Sequence, residues 1–226
     1  MVNKKTKMQV EVWSDIMCPF CYIGKRNFEA GLAQFCGRDD VELVWKSFQL
    51  NPSIKKSDKK DLNVYQYVAD MKGISYEQSV KMHEAVVQTA KNAGLDYHFE
   101  KAAIANSFNA HRLIQKAKTR GLGDAAEERL FYANFTEGKD YGDTAVLQEL
   151  GKEIGLSSGE VEEALTDQKY ADMVDHDINE ARQIGVNGVP FFVFDRKYAV
   201  SGAQPPKVFT QTLDKAFEEF ETAANF

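Results

Sequence analysis

The residues best suited to chemistry in this 226-residue chain are Cys18 and Cys21, separated by Pro19 and Phe20. A Cys-x-x-Cys pair can cycle between a dithiol and a disulfide, or it can supply half of a metal site. The pair follows a β-patterned run at 8–13 and precedes an amphipathic run, so Cys18 falls where a helix should begin. The amino end of a helix stabilises negative charge and favours the reactive thiolate. We therefore interpret the pair as a redox site, in which Cys18 attacks a disulfide and Cys21 resolves the mixed disulfide.

The remainder of the sequence gives a metal site little support. The chain has three cysteines and four histidines but no second Cys-x-x-Cys, and no two histidines are spaced like metal ligands. The histidines are His83, His98, His111 and His176. The third cysteine, Cys36, stands beside Gly37, and we interpret it as a packed or partly exposed thiol. We predict no metal and no set of structural disulfides.

Composition and charge are those of a globular protein. Hydrophobic residues make up 43% of the chain and charged residues 27%, and the net charge is −6. This acidic balance argues against nucleic acid or an anionic membrane as the main partner. No apolar run reaches the length of a membrane span, and the segment after the early lysines is too short and polar for a signal-peptide core. We therefore expect a cytoplasmic protein.

The segments around the cysteine pair predict a β-α-β unit. Residues 8–13 alternate at the period of a strand, residues 41–48 repeat that pattern, and a helical stretch that stops before Gly37 lies between them. Two strands joined in this way are expected to be parallel, with a right-handed crossover. Strand patterns return only at 189–194 and 198–201, and a last helix opens at two consecutive prolines.

Helical periodicity dominates the chain between these two parts. We predict helices over 62–72, 75–93, 101–119, 124–135, 144–154, 158–166 and 168–184. A charged loop at 55–61 precedes them. The order β-α-β, helices, β-β-α predicts an α/β protein in which residues 1–52 and 186–226 form one discontinuous domain and residues 53–185 are inserted as an all-helical domain.

Helix starts have their own signals within this block. Ser75 with Gln78 resembles a capping box, Asp143 is a candidate N-cap, and either Ser157 or Ser158 caps the helix that follows. These signals place the helix boundaries more firmly than periodicity alone.

A second chemical signal is Gly188-Val189-Pro190, immediately before the third predicted strand. A proline at this position can simply mark a sheet edge. Combined with the element order and the cysteine pair, it resembles the cis-proline of thioredoxin folds. The chain resembles DsbA-like thioredoxin-fold oxidoreductases of the FrnE-like branch, which are related to 2-hydroxychromene-2-carboxylate isomerase and kappa-class glutathione transferase. The motifs that carry the resemblance lie at 13–26, 106–113, 130–138 and 188–204.

This resemblance implies a thioredoxin fold with a large helical insertion and a set of site residues. Val189–Pro190 would be cis and pack against the disulfide, and the Val189 backbone would pair with an extended substrate. The implied catalytic residues are Cys18, Cys21 and Pro190, and the implied substrate-binding residues are Pro19, Phe20, Val189, Asn106 and His111. His111 has an equally good interpretation as a satisfied, partly buried structural histidine.

Proton handling departs from the family pattern. Many thioredoxin-like proteins keep a buried carboxylate six residues before the first catalytic cysteine, where it relays protons. That position is Val12 here. Glu11 should face the other side of the sheet, since side chains alternate along a strand. A water molecule, Asp15 and His111 are the candidates that replace the usual relay.

The predicted function is that of a cytosolic thiol–disulfide oxidoreductase acting on protein or low-molecular-weight thiols and disulfides. It needs no cofactor beyond the redox-active disulfide, with glutathione as a candidate co-substrate. One alternative is a glutathione-dependent isomerase or transferase of the 2-hydroxychromene-2-carboxylate isomerase type. Such enzymes typically have serine at the first position, so Cys18 favours redox chemistry. A chaperone-like peptide-binding module is a third hypothesis, and monomer and homodimer are both compatible with the sequence.

Overall fold

The computed structural model describes residues 7–55 and 63–224. The predicted loop from residue 56 onward and the first residue of the helix predicted over 62–72 lie outside these ranges. Within the described ranges, no helix is both long enough and apolar enough to cross a membrane.

A four-stranded mixed sheet forms the centre of the molecule. Its strands are β1 (Met8–Ser14), β2 (Val41–Ser47), β3 (Phe191–Phe194) and β4 (Tyr198–Ser201). They are arranged in the order β2-β1-β3-β4. β1 and β2 are parallel, whereas β3 runs antiparallel to both of its neighbours. The two ends of the chain therefore build one sheet, as the strand patterns predicted.

Helices cover both faces of this sheet and form the block between β2 and β3. They are α1 (Pro19–Ala33), α2 (Val64–Lys72), α3 (Tyr76–Asn92), α4 (Phe108–Thr119), α5 (Gly123–Tyr132), α6 (Thr144–Glu153), α7 (Ser158–Thr166), α8 (Gln168–Gln183) and α9 (Pro206–Ala224). The element order predicted from the sequence, β-α-β followed by helices and then β-β-α, is confirmed.

Local capping explains several helix starts. Ser75 and Gln78 form a reciprocal capping box at the start of α3, and Ser157 forms another at the start of α7. The Asp143 carboxylate accepts from the first free amides of α6. These side chains satisfy backbone donors that a helix leaves unpaired at its amino end. The choice between Ser157 and Ser158 is thus decided in favour of Ser157.

The helix predicted over 101–119 is wrong in its first turns, because α4 begins only at Phe108. The preceding segment instead bonds to the structure around it. The Asn134 side chain accepts from the Ala103 amide at 3.1 Å. The Tyr141 hydroxyl bonds both the amide and the carbonyl of Ala105. Tertiary hydrogen bonds have replaced the helical ones, and no local pattern could show that.

Three apolar clusters hold these layers together. One lies between the sheet and helices α1 and α9 and contains Val12, Phe28 and Phe209. A smaller one, on the opposite face, packs Trp13 against Ala181 of α8. The largest fills the helical block, and it also contains Cys18, Cys21 and the residues next to them. The cysteine pair therefore sits in the seam where the sheet meets the inserted helices.

Polar contacts also fasten the insertion to the sheet. The Trp13 indole donates to the Asp177 carbonyl at 2.9 Å. The Asp177 carboxylate accepts from the Ser47 amide at 3.0 Å and from the Gln115 side chain at 2.6 Å. All of these groups are buried, so their loss would leave unsatisfied polar atoms in the interior.

Candidate active site

The loop between β1 and α1 places Cys18 at the amino end of the helix. Cys18 is the N-cap, with extended backbone angles of φ −88° and ψ 112°. Its amide donates to the Asp15 carbonyl at 2.9 Å, and its own carbonyl accepts from the Cys21 amide at 3.1 Å. Pro19 occupies the first helical position, where a missing N–H costs nothing. Cys18 is therefore the residue at which α1 begins, and its side chain makes no capping hydrogen bond to the helix.

Cys18 also contacts the segment before β3. Its Sγ lies 3.4 Å from the Val189 carbonyl oxygen, and the Val189–Pro190 peptide bond is cis. Pro190 is buried against α1 so closely that a Cβ added to Gly24 would lie 2.8 Å from Pro190 Cγ. The structure thus brings Cys18, Val189 and Pro190 together. Their catalytic and substrate-binding roles remain predictions.

Cys21 lies one helical turn further on and is almost fully buried, with 1% of its surface exposed. Both cysteines are free thiols. Burial raises the pKa of Cys21 well above its ordinary value, and the neighbouring Cys18 raises it further. The Asp15 backbone and the Ser14 side chain act in the opposite direction and lower the pKa of Cys21. Cys21 is therefore a buried, protonated thiol, and a neighbouring group must accept its proton before it can react as a thiolate.

The surface beside Cys18 is aromatic. Phe20 is 43% exposed, whereas Cys18 itself is only 5% exposed. On the inner side, the Pro19 carbonyl accepts from the Tyr97 hydroxyl at 2.7 Å. Burial, followed by the proximity of Cys18, raises the pKa of Tyr97. Of the predicted substrate-binding pair, Phe20 therefore presents the larger surface, and Pro19 is tied through its backbone to the insertion.

Asp15 fastens the cysteine loop. It is fully buried, with Oδ1 accepting from the Met17 amide at 3.2 Å and Oδ2 accepting from the Leu50 amide at 2.7 Å. Its Oδ1 also lies 3.5 Å from Nε2 of His111. Charge-assisted bonds to backbone amides are strong, so Asp15 joins the loop before α1 to the segment after β2.

His111 is fully buried on α4, behind this loop. Among the described residues, neither ring nitrogen has a hydrogen-bond partner of good geometry, so its link to Asp15 is an ion-pair contact. Burial opposes protonation of the ring, but the Asp15 carboxylate and then the Glu127 carboxylate outweigh it and raise the pKa of His111. The structure therefore places His111 beneath the loop, fully enclosed, and its predicted role in substrate binding stays a prediction.

Two residues that the sequence analysis did not single out complete this buried group. The Ser14 hydroxyl lies 3.5 Å from Glu127 Oε2, and both residues are buried at 0% and 1% exposure. A signal for Glu127 existed, because its spacing from Leu130 and Phe131 puts a carboxylate on the apolar face of α5. Ser14 follows Val10 and Val12 on the inward face of β1.

Burial raises the pKa of Glu127 to about 7. The His111 cation and Lys25 lower it, whereas the Asp124 and Asp15 carboxylates raise it further. A carboxyl group with this pKa changes its charge near neutral pH, which an ordinary surface glutamate does not do.

The Asn106 side chain forms hydrogen bonds to the surrounding loop. Its side-chain amide donates to the Pro52 carbonyl at 2.9 Å, and its oxygen accepts from Gln49 and from the Phe108 amide, each at 2.9 Å. Both ends of the side chain are thereby occupied within the fold. Its predicted role in substrate binding stays a prediction.

The alternation of β1 agrees with the expectation for Val12 and Glu11. Val12 is part of the apolar cluster under α1 and α9. Glu11 is buried on the other face, in an ion-pair group with Lys46 and Arg196. Neither residue contributes a carboxylate to the cysteine side of the sheet. Cys36, beyond the end of α1, is an exposed free thiol.

Comparison with known proteins agrees with this geometry. Residues 9–214 match the family model described as a DSBA-like thioredoxin domain. The chain is 42% identical to a probable DsbA oxidoreductase from Streptomyces coelicolor, with a TM-score of 0.87 over 94% of this chain and 91% of that one.

Two more distant structures share the fold. One is a 2-hydroxychromene-2-carboxylate isomerase, 16% identical, with a TM-score of 0.69 over 97% of this chain and 100% of that one. The other is the cytosolic disulfide reductase DsbM from Pseudomonas aeruginosa, 17% identical, with a TM-score of 0.65 over 93% of this chain and 98% of that one. The predicted thioredoxin fold with a helical insertion is therefore confirmed.

Proposed function

The chain belongs to the DSBA-like thioredoxin domain family, and from this we propose that it is a thiol–disulfide oxidoreductase working through Cys18 and Cys21. The observation that carries the proposal is the position of the two free thiols. Cys18 caps α1 and touches the Val189 carbonyl, and Cys21 lies buried one turn behind it. This arrangement gives the two cysteines different tasks.

In the reducing direction, the Cys18 thiolate attacks one sulfur of a substrate disulfide and displaces the other as a thiolate. The product is a mixed disulfide between Cys18 and the substrate. Cys21 then loses its proton, and its thiolate attacks the Cys18 sulfur. The internal disulfide forms, the second substrate thiolate leaves, and two electrons have passed to the substrate. A thiol reductant, for which glutathione is our candidate, returns the pair to the dithiol, and oxidation of a substrate dithiol is the reverse sequence.

The protein substrate segment would lie across Phe20 and the Val189–Pro190 segment. The exposed ring of Phe20 supports this placement. We place the reaction in the cytoplasm, which the description of the DsbM neighbour as cytosolic supports. Another structure of DsbM is described as holding GSH, which supports glutathione as the co-substrate to test first.

The test is reduction of insulin disulfides with a thiol reductant, using one variant for each cysteine. Cys18→Ser should abolish the activity, and Cys21→Ser should accumulate a mixed disulfide that is visible on a non-reducing gel. Cys36→Ser is the matched control, because this thiol is exposed and lies outside the pair. Catalysis that survives Cys18→Ser, or that is lost with Cys36→Ser, would contradict the proposal.

The glutathione-dependent isomerase hypothesis differs from the proposed oxidoreductase in whether the reaction transfers electrons. Isomerisation of 2-hydroxychromene-2-carboxylate consumes no reducing equivalents, whereas disulfide exchange oxidises one dithiol for each disulfide reduced. A redox titration of the Cys18–Cys21 couple against glutathione adds the direction of the reaction. A potential near that of thioredoxin indicates a reductase, and a potential well above the cytosolic poise indicates an oxidase or a disulfide isomerase.

A further inference from the structure

Glu127 is a buried carboxylate whose two oxygen atoms are poorly satisfied by hydrogen bonds. Glu127 is 1% exposed, and one oxygen, Oε1, has no hydrogen-bond partner among the described residues. The other oxygen faces the Ser14 hydroxyl at 3.5 Å. A carboxylate buried with an unsatisfied oxygen is costly. An apolar side chain would avoid that cost, so the carboxylate calls for a chemical explanation.

Ser14 links this carboxylate to the cysteine pair. Ser14 is the last residue of β1, and it is fully buried. Its side chain lowers the pKa of the Cys21 thiol, and its hydroxyl lies 3.5 Å from Glu127 Oε2. A hydroxyl both donates and accepts a hydrogen bond, so it can pass a proton between two groups that do not touch.

We propose that Glu127 takes up and returns the proton of Cys21 through the hydroxyl of Ser14. This inference rests on the proposed function, because it concerns the step in which Cys21 resolves the mixed disulfide. The Cys21 thiol gives its proton to the Ser14 oxygen, and the Ser14 hydroxyl proton moves to Glu127 Oε2. The Cys21 thiolate then attacks the Cys18 sulfur and expels the substrate thiolate. When the internal disulfide is reduced again, Glu127 returns the proton to the departing Cys21 sulfur.

The charges around Glu127 suit this exchange. Burial raises its pKa to about 7, so it can gain or lose a proton near neutral pH. The groups that act on it are Ser14 from β1, Asp15 from the cysteine loop, Lys25 from α1, His111 and Lys118 from α4, and Asp124 from its own helix. The His111 cation stabilises the ionised state that must form when the proton leaves. Asp15 holds His111 in place and is engaged by two backbone amides, so the proton is assigned to Glu127.

The two steps can be separated with dithionitrobenzoate in a stopped-flow experiment. Every protein carries Cys36→Ser, so that only the pair reacts. In the first phase, the Cys18 thiolate displaces one thionitrobenzoate and forms a mixed disulfide. In the second phase, Cys21 displaces the other thionitrobenzoate, at a rate that does not depend on reagent concentration. The second phase of the parent protein should accelerate with pH through an inflection near 7.

Glu127→Gln keeps the shape of the side chain but cannot take up the proton. We expect its second phase at neutral pH to slow by about 100-fold, the low end of what a positioned base contributes, and to lose the inflection. Ser14→Ala should slow the same phase while leaving Glu127 in place. Asp177→Asn is the matched control, since it neutralises a buried carboxylate that contacts neither thiol. Its partners are Ser47, Gln115, Lys46 and Lys118, so this variant also tests an indirect effect through Lys118. The first phase should be unchanged in all three variants.

Each outcome is decisive. A second phase with unaltered rate and inflection in Glu127→Gln would overturn the relay, and so would an unaltered phase in Ser14→Ala should the glutamine variant not fold. Equal slowing in Asp177→Asn would show that loss of any buried carboxylate suffices, which also overturns it. Failure of the parent protein to give the first phase would instead refute the proposed function.

Discussion

Neutralising Glu127 should make the stability of the protein less sensitive to pH. In the unfolded chain this carboxyl ionises near 4.5, whereas in the folded protein burial keeps it protonated up to about pH 7. Between these values the folded state binds more protons than the unfolded state, so the free energy of unfolding falls as the pH rises. The stabilisation is complete below about 4.5 and lost above about 7. Glu127→Gln removes the titrating group and with it this slope.

The size of the effect follows from the two pKa values. A difference of one pH unit is worth about 1.4 kcal/mol, so the change from 4.5 to about 7 corresponds to about 3 kcal/mol. About 2 kcal/mol of this should be lost between roughly pH 5 and pH 7. The glutamine variant should lack that loss. Because the pKa of His111 is also raised, the free energy of unfolding falls further as the pH rises above about 6.5. The wild type and the Glu127→Gln variant both contain His111, so to a first approximation this fall is the same in the two proteins.

The measurement is urea unfolding, followed by circular dichroism, at several pH values between roughly 5 and 7, with the thiols kept reduced. Glu128→Gln is the control from the neighbouring position. Burial raises the pKa of Glu128, but its bonds to Arg26 and Tyr22 outweigh burial and lower the pKa overall. Its contribution is therefore complete above about 4.5 and constant across this range. A Glu127→Gln variant whose stability varies with pH as much as that of the wild type would refute the claim that Glu127 is neutral below pH 7 in the folded protein.

Three other substitutions test how the site is held. Asp177→Ala should lower the free energy of unfolding by about 3 kcal/mol in urea titration, because the Ser47 amide loses a charged acceptor; a loss below about 1 kcal/mol would contradict this. Gly24→Ala should cost about 1–3 kcal/mol by the same titration and slow insulin reduction, since the new Cβ would meet Pro190 at 2.8 Å; unchanged stability and rate would mean that the segment yields freely. Asn134→Ala should cost about 1–3 kcal/mol and raise amide hydrogen exchange in the cysteine loop, because its side chain donates to the Ile16 carbonyl at 3.2 Å; unaltered exchange would show that this bond does not hold the loop.

Much of the fold was predictable from the sequence because local patterns determine it. The alternation in β1 was recognisable because its side chains point alternately to an apolar face with Val10 and Val12 and to a face on which Glu11 forms ion pairs. The starts of α3 and α7 follow from their capping boxes. The parallel pairing of β1 and β2 follows from the helical crossover that joins them. The late start of α4 was not predictable, because hydrogen bonds from Asn134 and Tyr141, distant in sequence, hold the preceding segment.

The residues of the candidate site likewise fall into those that the sequence indicates and those that only the tertiary structure shows. Cys18, Cys21 and Val189–Pro190 were recognisable because their chemistry and spacing are unusual in themselves. Asp15 and His111 were visible only as alternatives, because their contact joins residues 96 positions apart. Glu127 had a local sign, a carboxylate in phase with Leu130 and Phe131. Periodicity can show that such a residue is buried, but only the tertiary structure shows that Ser14 is its neighbour.

The placement of these groups suggests why the insertion and the thiols form one packed unit. β1 and α1 position the cysteines, but α4 and α5 of the insertion supply His111 and Glu127, and the largest apolar cluster contains both thiols together with insertion residues. A relay built in this way couples the acidity of Cys21 to how tightly the insertion packs on the cysteine loop. Substitutions in α4 or α5 that leave both thiols in place should therefore shift the rate of resolution, while the first attack by Cys18 continues unchanged.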